Sequence, residues 1–150
     1  MYTTILLAYD GTMEGAMALR EGALLAKTCC AKVVLLSVVP NPAGIAAAEG
    51  AYGGAADKQF SGYKELLEQA VAWLKQHGIE PVAKIAVGEP APIIGKVAKD
   101  CAANLVVVGH HRKNFLTRWW SGSTNAYLSD NLHCSMLIAS NPHGDEAFET

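Results

Sequence analysis

Between Gly109 and Thr124 the chain reads GHHRKNFLTRWWSGST, directly after the apolar run LVVV. A hydrophobic run that ends in glycine and leads into a polar loop is the pattern of a buried strand delivering its C-terminal end to a site. Glycine lets the backbone approach something closely. If Gly122-Ser123-Thr124 opens a helix, its unpaired N–H groups and hydroxyls favour an anion at the same place, so the stretch reads as a phosphate cradle. His110 and His111 are adjacent and point to opposite sides of an extended loop, which argues against their holding one metal together and for a solvated loop. Trp119 and Trp120 in the same loop suit either a seal over the mouth or contact with a partner subunit.

A second polar constellation, Asp10-Gly11-Thr12, follows the apolar ILLAY. Asp10 is suited equally to a ligand contact and to a turn or cap before a helix. Other chemistries fail for want of residues. A dinucleotide fold needs G-x-G-x-x-G after its first strand, where this chain has DGTMEG. The stretch GEPAPIIGKV has six residues between its glycines, two prolines, and Val97 where a phosphate loop places a metal-binding hydroxyl, so it reads as a strand-to-helix turn. The expected third strand ends without the aspartate that a phosphoacceptor domain requires. No G-x-S-x-G elbow is present, and no serine or cysteine has an evident base and orienting acid. Covalent catalysis is not expected.

The elements that must hold these residues follow from composition. The chain has 150 residues, 51% hydrophobic and 17% charged, which suits one domain with a buried sheet covered on both faces. A net charge of -2 argues against nucleic acid or an anionic membrane as the main partner. The opening MYTTILLAYDG carries no cationic leader, and no apolar run reaches the length of a membrane span, so a cytoplasmic location is expected. The four cysteines, Cys29, Cys30, Cys101 and Cys134, lack C-x-x-C or zinc-finger spacing and read as reduced thiols. The vicinal pair Cys29-Cys30 reads as small buried side chains rather than a redox switch.

Strand and helix patterns alternate. Strands are expected at Thr4–Tyr9, Lys32–Val39, Pro81–Val87, Leu105–Val108 and Cys134–Ala139. Helices are expected at Met13–Cys30 with Ala16, Leu19, Ala23, Ala26 and Cys30 inward, and at Asp57–His77 with Phe60, Tyr63, Leu67, Ala70 and Leu74 inward. Two more are expected from Pro90 to about Ala103, with Ile94, Val97, Ala98 and Cys101 inward, and from about Ser123 to Asn131. The Ala/Gly-rich residues Asn41 to Ala56 read as a flexible loop within a domain spanning 1–140, and 141–150 as a polar tail. Right-handed crossovers then require a parallel, doubly wound sheet; the fold expected is α/β, a five-stranded, three-layer, Rossmann-like or flavodoxin-like sandwich with strand order 3-2-1-4-5. Its ligand edge lies beyond the strand C-termini, where Asp10, Val38 and Gly109 all fall.

The chain resembles the universal stress protein family, whose ATP-binding members carry G-x-x-G, nine residues, then G-[ST] after the fourth strand. Here Gly109 supplies the first position and Gly122-Ser123 the last, at the family's spacing. ILLAYDGT, LLSVVP, GEPA, Arg118 and His133-Cys134 resemble further family positions in the family's order. The resemblance implies a regulatory module of stress response that binds ATP, with or without Mg, and is not an enzyme beyond slow ATP hydrolysis. It implies that Asp10 contacts adenosine, that Val38 meets the base through its backbone, and that Val108, Gly109, Gly122, Ser123 and Thr124 hold ribose and phosphates.

One position departs from the family pattern: Arg112 stands where the second glycine would be. An arginine in left-handed backbone costs roughly 1 kcal/mol or more. A charge-assisted bond from it to phosphate contributes roughly 1.5–3 kcal/mol. The two effects are of comparable size, so the alternative is a nucleotide-free dimeric stress protein acting through an unknown protein partner. A homodimer or dimer of dimers is expected either way, through the apolar SMLIA strand that would otherwise leave an exposed edge.

Overall fold

The computed structural model describes residues 1–40, 54–109 and 122–140. The elements are β1 (Thr4–Ala8), α1 (Met13–Cys29), β2 (Lys32–Val39), α2 (Gly54–Gln76), β3 (Val82–Val87), α3 (Pro90–Asp100), β4 (Leu105–Gly109), α4 (Gly122–Asn131) and β5 (Ser135–Ala139). The strands form one five-stranded sheet in the order β3-β2-β1-β4-β5, and every neighbouring pair is parallel. This is the doubly wound α/β fold expected from the sequence.

The three inner strands are buried along nearly their whole length because helices cover both faces, hence their continuous apolar runs. Alternate residues feed two cores. Ile5, Leu7, Val33, Leu35, Leu105 and Val107 pack with Leu19 and Ala23 of α1 and Leu67 and Leu74 of α2. Leu6, Ala8, Leu36, Val38, Val106 and Val108 pack with Ile94 and Ala98 of α3 and Leu128 of α4. Right-handed crossovers dictate this division, since the chain moves one way from β1 through β3 and the other way from β4 to β5. At the strands' N-terminal edge Asn104 ties β4 to β1: its Oδ1 accepts the N–H groups of Thr3 and Thr4 at 3.0 and 3.1 Å, and its Nδ2 donates to Thr3 Oγ1 at 2.9 Å.

α1, α2 and α3 end in one motif. Cys30, Gly78 and Ala102 take left-handed backbone, with φ of 52°, 78° and 53°. Their N–H groups donate to the carbonyls of Lys27, Lys75 and Lys99, and the following N–H groups of Ala31, Ile79 and Ala103 reach back to Ala26, Leu74 and Ala98. These are Schellman turns, which satisfy carbonyls the helix leaves open. They correct two expectations: α1 ends at Cys29, leaving Cys30 exposed rather than buried, and α3 ends at Asp100 rather than near Ala103.

Other boundaries shift by smaller amounts. Pro81 has no N–H for the ladder, and β3 begins at Val82. β4 runs one residue further, to Gly109, which pairs with Ala139. Gly54, Ala55 and Ala56, expected in the loop, begin α2. The rest of that loop lies outside the described residues, as do His110, His111, Arg112, Trp119, Trp120 and the tail 141–150. On α2 the inward stripe holds from Tyr63 through Leu67, Ala70 and Leu74, whereas Phe60 is 38% exposed. Tyr63 already clusters with Val38 and Val39 at the end of β2, so Phe60 sits a turn past the strand it would cover.

Candidate functional site

β1 and β4 are neighbours, yet the chain leaves β1 toward β2 and leaves β4 toward β5. Crossovers therefore diverge onto opposite faces here, opening a crevice at the strands' C-terminal ends, the place where such sheets take ligands. The sequence-predicted residues Asp10, Val108 and Gly109 converge on it.

Gly109 ends β4 against the first turn of α1. A Cβ there would overlap the backbone carbonyl of Glu14 and crowd the N–H of Gly15. Its close approach is thus first to protein backbone: only glycine allows β4 and α1 to meet this tightly. Gly15 repeats the device, because a Cβ on it would overlap Asp10 Oδ1.

Asp10 is 2% exposed. Its Oδ1 accepts the N–H of Thr12 at 2.9 Å and also the Thr12 hydroxyl, an Asx turn closed twice. Thr12 Oγ1 in turn accepts the N–H of Gly15 at 3.1 Å, making Thr12 the N-cap of α1. Of the two bland readings the sequence left for Asp10, turn residue and cap, the structure selects the turn. A carboxylate beneath a helix N-terminus lies where the peptide dipoles favour negative charge. Sequence reasoning placed Thr12 beside Asp10 without giving it this role and missed Gly15; the spacing D-x-T-x-x-G was visible, but no local rule linked its members.

Tyr9 adjoins this group. Partial burial raises its phenol pKa above the ordinary value, the Asp10 carboxylate adds to the rise, and Arg20 opposes it. The Tyr9 carbonyl accepts the hydroxyl of buried Ser37 at 2.8 Å, tying the end of β1 to β2.

Val38 and Val108 are fully buried, so neither offers a side chain to a ligand. The direction of Val38 follows from strand alternation. Leu36 O accepts Tyr9 N–H on the β1 side, whereas Val39 O accepts Gly88 N–H on the β3 side, both at 2.9 Å. Backbone groups two residues apart face the same neighbour. Val38 therefore faces the β1 side, past the last paired residue of β1, and looks into the crevice.

α4 begins at Gly122, a residue before the expected start. Because β4 and β5 are parallel, α4 runs back between them and its N-terminus lies at the crevice edge of the sheet. No acidic residue occupies its first turn, nor that of α3. The structure thus brings Asp10, Val38, Val108, Gly109 and the first turn of α4 to one edge. Arg112 lies outside the described residues, so its alternatives are not resolved. Among the described residues no cluster of three His, Cys, Asp or Glu side chains could hold a metal ion, and no helix is long and apolar enough to cross a membrane.

A model of the universal stress protein family matches residues 1–140, and the chain belongs to that family. It is 30% identical to a universal stress protein of Synechocystis sp. over 82 residues, 55% of this chain; the match spans 53% of that relative's length. Among solved structures, the universal stress protein from Archaeoglobus fulgidus in complex with dAMP aligns over 93% of this chain and 98% of its own at 20% identity, with a TM-score of 0.69. A universal stress protein family member from Arabidopsis thaliana with AMP bound aligns over 96% and 94%, also at 20% identity, with a TM-score of 0.64. These likenesses establish the fold.

Proposed function

We propose that the chain is a cytoplasmic regulatory module of stress response that binds ATP in the crevice between β1 and β4. The observation that carries this reading is the convergence of the Val38 backbone, the Asp10–Thr12 turn and the tight Gly109–α1 contact at the switch point, with the α4 N-terminus on the same edge. The parts divide the ligand by chemistry. Backbone amide groups at Val38 suit the hydrogen-bonding edge of a base, and an acid-free helix N-terminus with Ser123 and Thr124 in its sequence suits phosphates. The AMP and dAMP held by the two relatives support the choice of an adenine base. Asp10, buried at the crevice, is already engaged by Thr12. A magnesium ion would therefore be held mainly by the nucleotide's own phosphates. Slow hydrolysis of ATP is the most chemistry this reading assigns.

Calorimetric titration with ATP, ADP, AMP and GTP, with and without magnesium, tests the proposal. Saturable binding of an adenine nucleotide is expected, with GTP weaker; no heat from any adenine nucleotide overturns it. The same titration on Arg112→Gly and Arg112→Ala separates the two effects of the arginine. Bulk gives tighter ATP binding in the glycine variant, and a salt link gives weaker binding in both.

The alternative, a dimer acting through a protein partner, draws support from β5. It is an edge strand whose Ile138 is 37% exposed, and an unpaired apolar edge invites a second copy. The edge on the other side, β3, carries exposed Lys84, a common protection against pairing. A dimer, or a dimer of dimers, built on β5 is compatible with both readings. Light scattering at micromolar concentration should give at least twice the monomer mass, and Ile138→Lys should reduce it.

A further inference from the structure

At the pole of the sheet opposite the crevice, a surface groove runs between the last turn of α3 and the residues that lead into β5. Ala98, Lys99, Ala102, Ala103, Leu132 and Cys134 line it. Cys101 directly precedes Ala102 of that lining. Its Sγ folds back toward Ala98 O, at 3.7 Å, and Ala98 is itself a wall of the groove. Both thiols are partly buried and pack against the same core cluster, beside Ala103 and Leu132. Sheet register fixes them there: Ser135 pairs with Leu105, and its N–H donates to Asn104 O, which sets Cys134 beside the turn that follows Cys101.

We infer that Cys101 and Cys134 are a redox couple that closes to a disulfide when a hydroperoxide enters the groove, tethering the end of α3 to the start of β5. The Cys101 thiolate attacks one oxygen of the peroxide and the O–O bond breaks, leaving a sulfenic acid and an alcohol or water. The Cys134 sulfur then displaces hydroxide from that sulfenic sulfur. Its thiol proton leaves with the hydroxide as water, and the S–S bond forms. Two thiols and one hydroperoxide thus give one disulfide, one alcohol or water, and one further water. Burial, and secondarily the Cys101 charge, push the Cys134 thiol pKa up. That Cys134 registers the charge of Cys101 agrees with their closeness, and the thiol whose ionisation is held back suits the resolving step. Cys29 and Cys30 end α1 on the other face of the sheet and take no part.

The test uses the full chain with Cys29→Ser and Cys30→Ser, treated with one equivalent of hydrogen peroxide in native buffer. The expected result is complete loss of both remaining thiols, a mass lower by two hydrogen atoms, and a non-reduced digest in which the peptides holding residues 101 and 134 run as one species that dithiothreitol separates. Cys134→Ser should instead accumulate a sulfenic acid at Cys101 that dimedone traps. The wild-type chain, mapped in the same way, should give the same linked peptides, which guards against a variant that fails to fold. Unreacted thiols, sulfinic acid without a crosslink, or only intermolecular disulfides would overturn the inference.

Discussion

At the scale of single residues, the glycine that drew attention in the sequence acts on protein before it acts on any ligand. The pattern LVVVG marked Gly109 as a place of close approach, but the partner, the carbonyl of Glu14 some 95 positions earlier, left no local trace. Long-range packing of this kind is what a single sequence hides. Gly109→Ala should therefore destabilise the nucleotide-free protein by about 1–3 kcal/mol through overpacking, and weaken nucleotide binding as well. Gly62→Ala is the control: a Cβ there meets nothing within 4 Å. On that exposed helical position alanine should stabilise by about 0.5–1 kcal/mol. Urea midpoints for the two variants, moving in opposite directions, would check the argument; a neutral Gly109→Ala would refute it. Asp10 makes a related point. Its residue type suits a ligand contact, a turn or a cap, and only the positions of Thr12 and Gly15 select the turn. Thr12→Ala, which removes both the cap and one bond to Asp10, should cost about 1–2 kcal/mol on the same scale.

At the scale of elements, legibility followed how strongly each boundary is written in residue type. Gly78 announced the end of α2, because glycine is the usual residue for a left-handed C-terminal turn. Cys30 and Ala102 adopt the same backbone without any such signal. The helical apolar pattern simply ran on through them, so the sequence reading of α1 and α3 overshot. Both positions carry a strain that glycine would lack, about 1 kcal/mol for a residue with a Cβ in this region. Cys30→Gly and Ala102→Gly are each expected to raise stability by a large part of that amount, and Gly78→Ala to lower it similarly. Equilibrium denaturation tests this. The midpoints should move while the slope stays fixed, since the surface exposed on unfolding does not change. A lower midpoint for both glycine variants would show that freedom gained in the unfolded chain outweighs the relief of strain.

At the scale of the whole molecule, sheet order was readable because five apolar runs separated by helices leave few right-handed solutions, and the position of the crevice follows from that order alone. Which side chains line the crevice was less readable, since those contacts depend on strand ends and helix starts that differ by single residues. The two poles share one electrostatic feature. Tyr9 beside the crevice and Cys134 in the opposite groove both have pKa values raised above 10.0 and 9.0, chiefly by burial. A raised folded value means that the fold holds the proton more firmly than the open chain does. The resulting stabilisation is fully present below the unfolded values and is lost as pH rises through them toward the folded ones. Each group should therefore steepen the fall of stability in alkali, Cys134 beginning at lower pH than Tyr9, and neither should make stability vary with pH near neutrality. Lysines titrate over the same range, so the test is a difference between proteins. Melting temperatures measured from about pH 7 to about pH 11 for wild type, Tyr9→Phe and Cys134→Ser should run parallel at the neutral end. Above it both variants should lose stability more gently than wild type, because neither phenylalanine nor serine has a proton to give up there. Profiles that stay parallel into alkali would mean that the two groups titrate alike in the folded and unfolded chain.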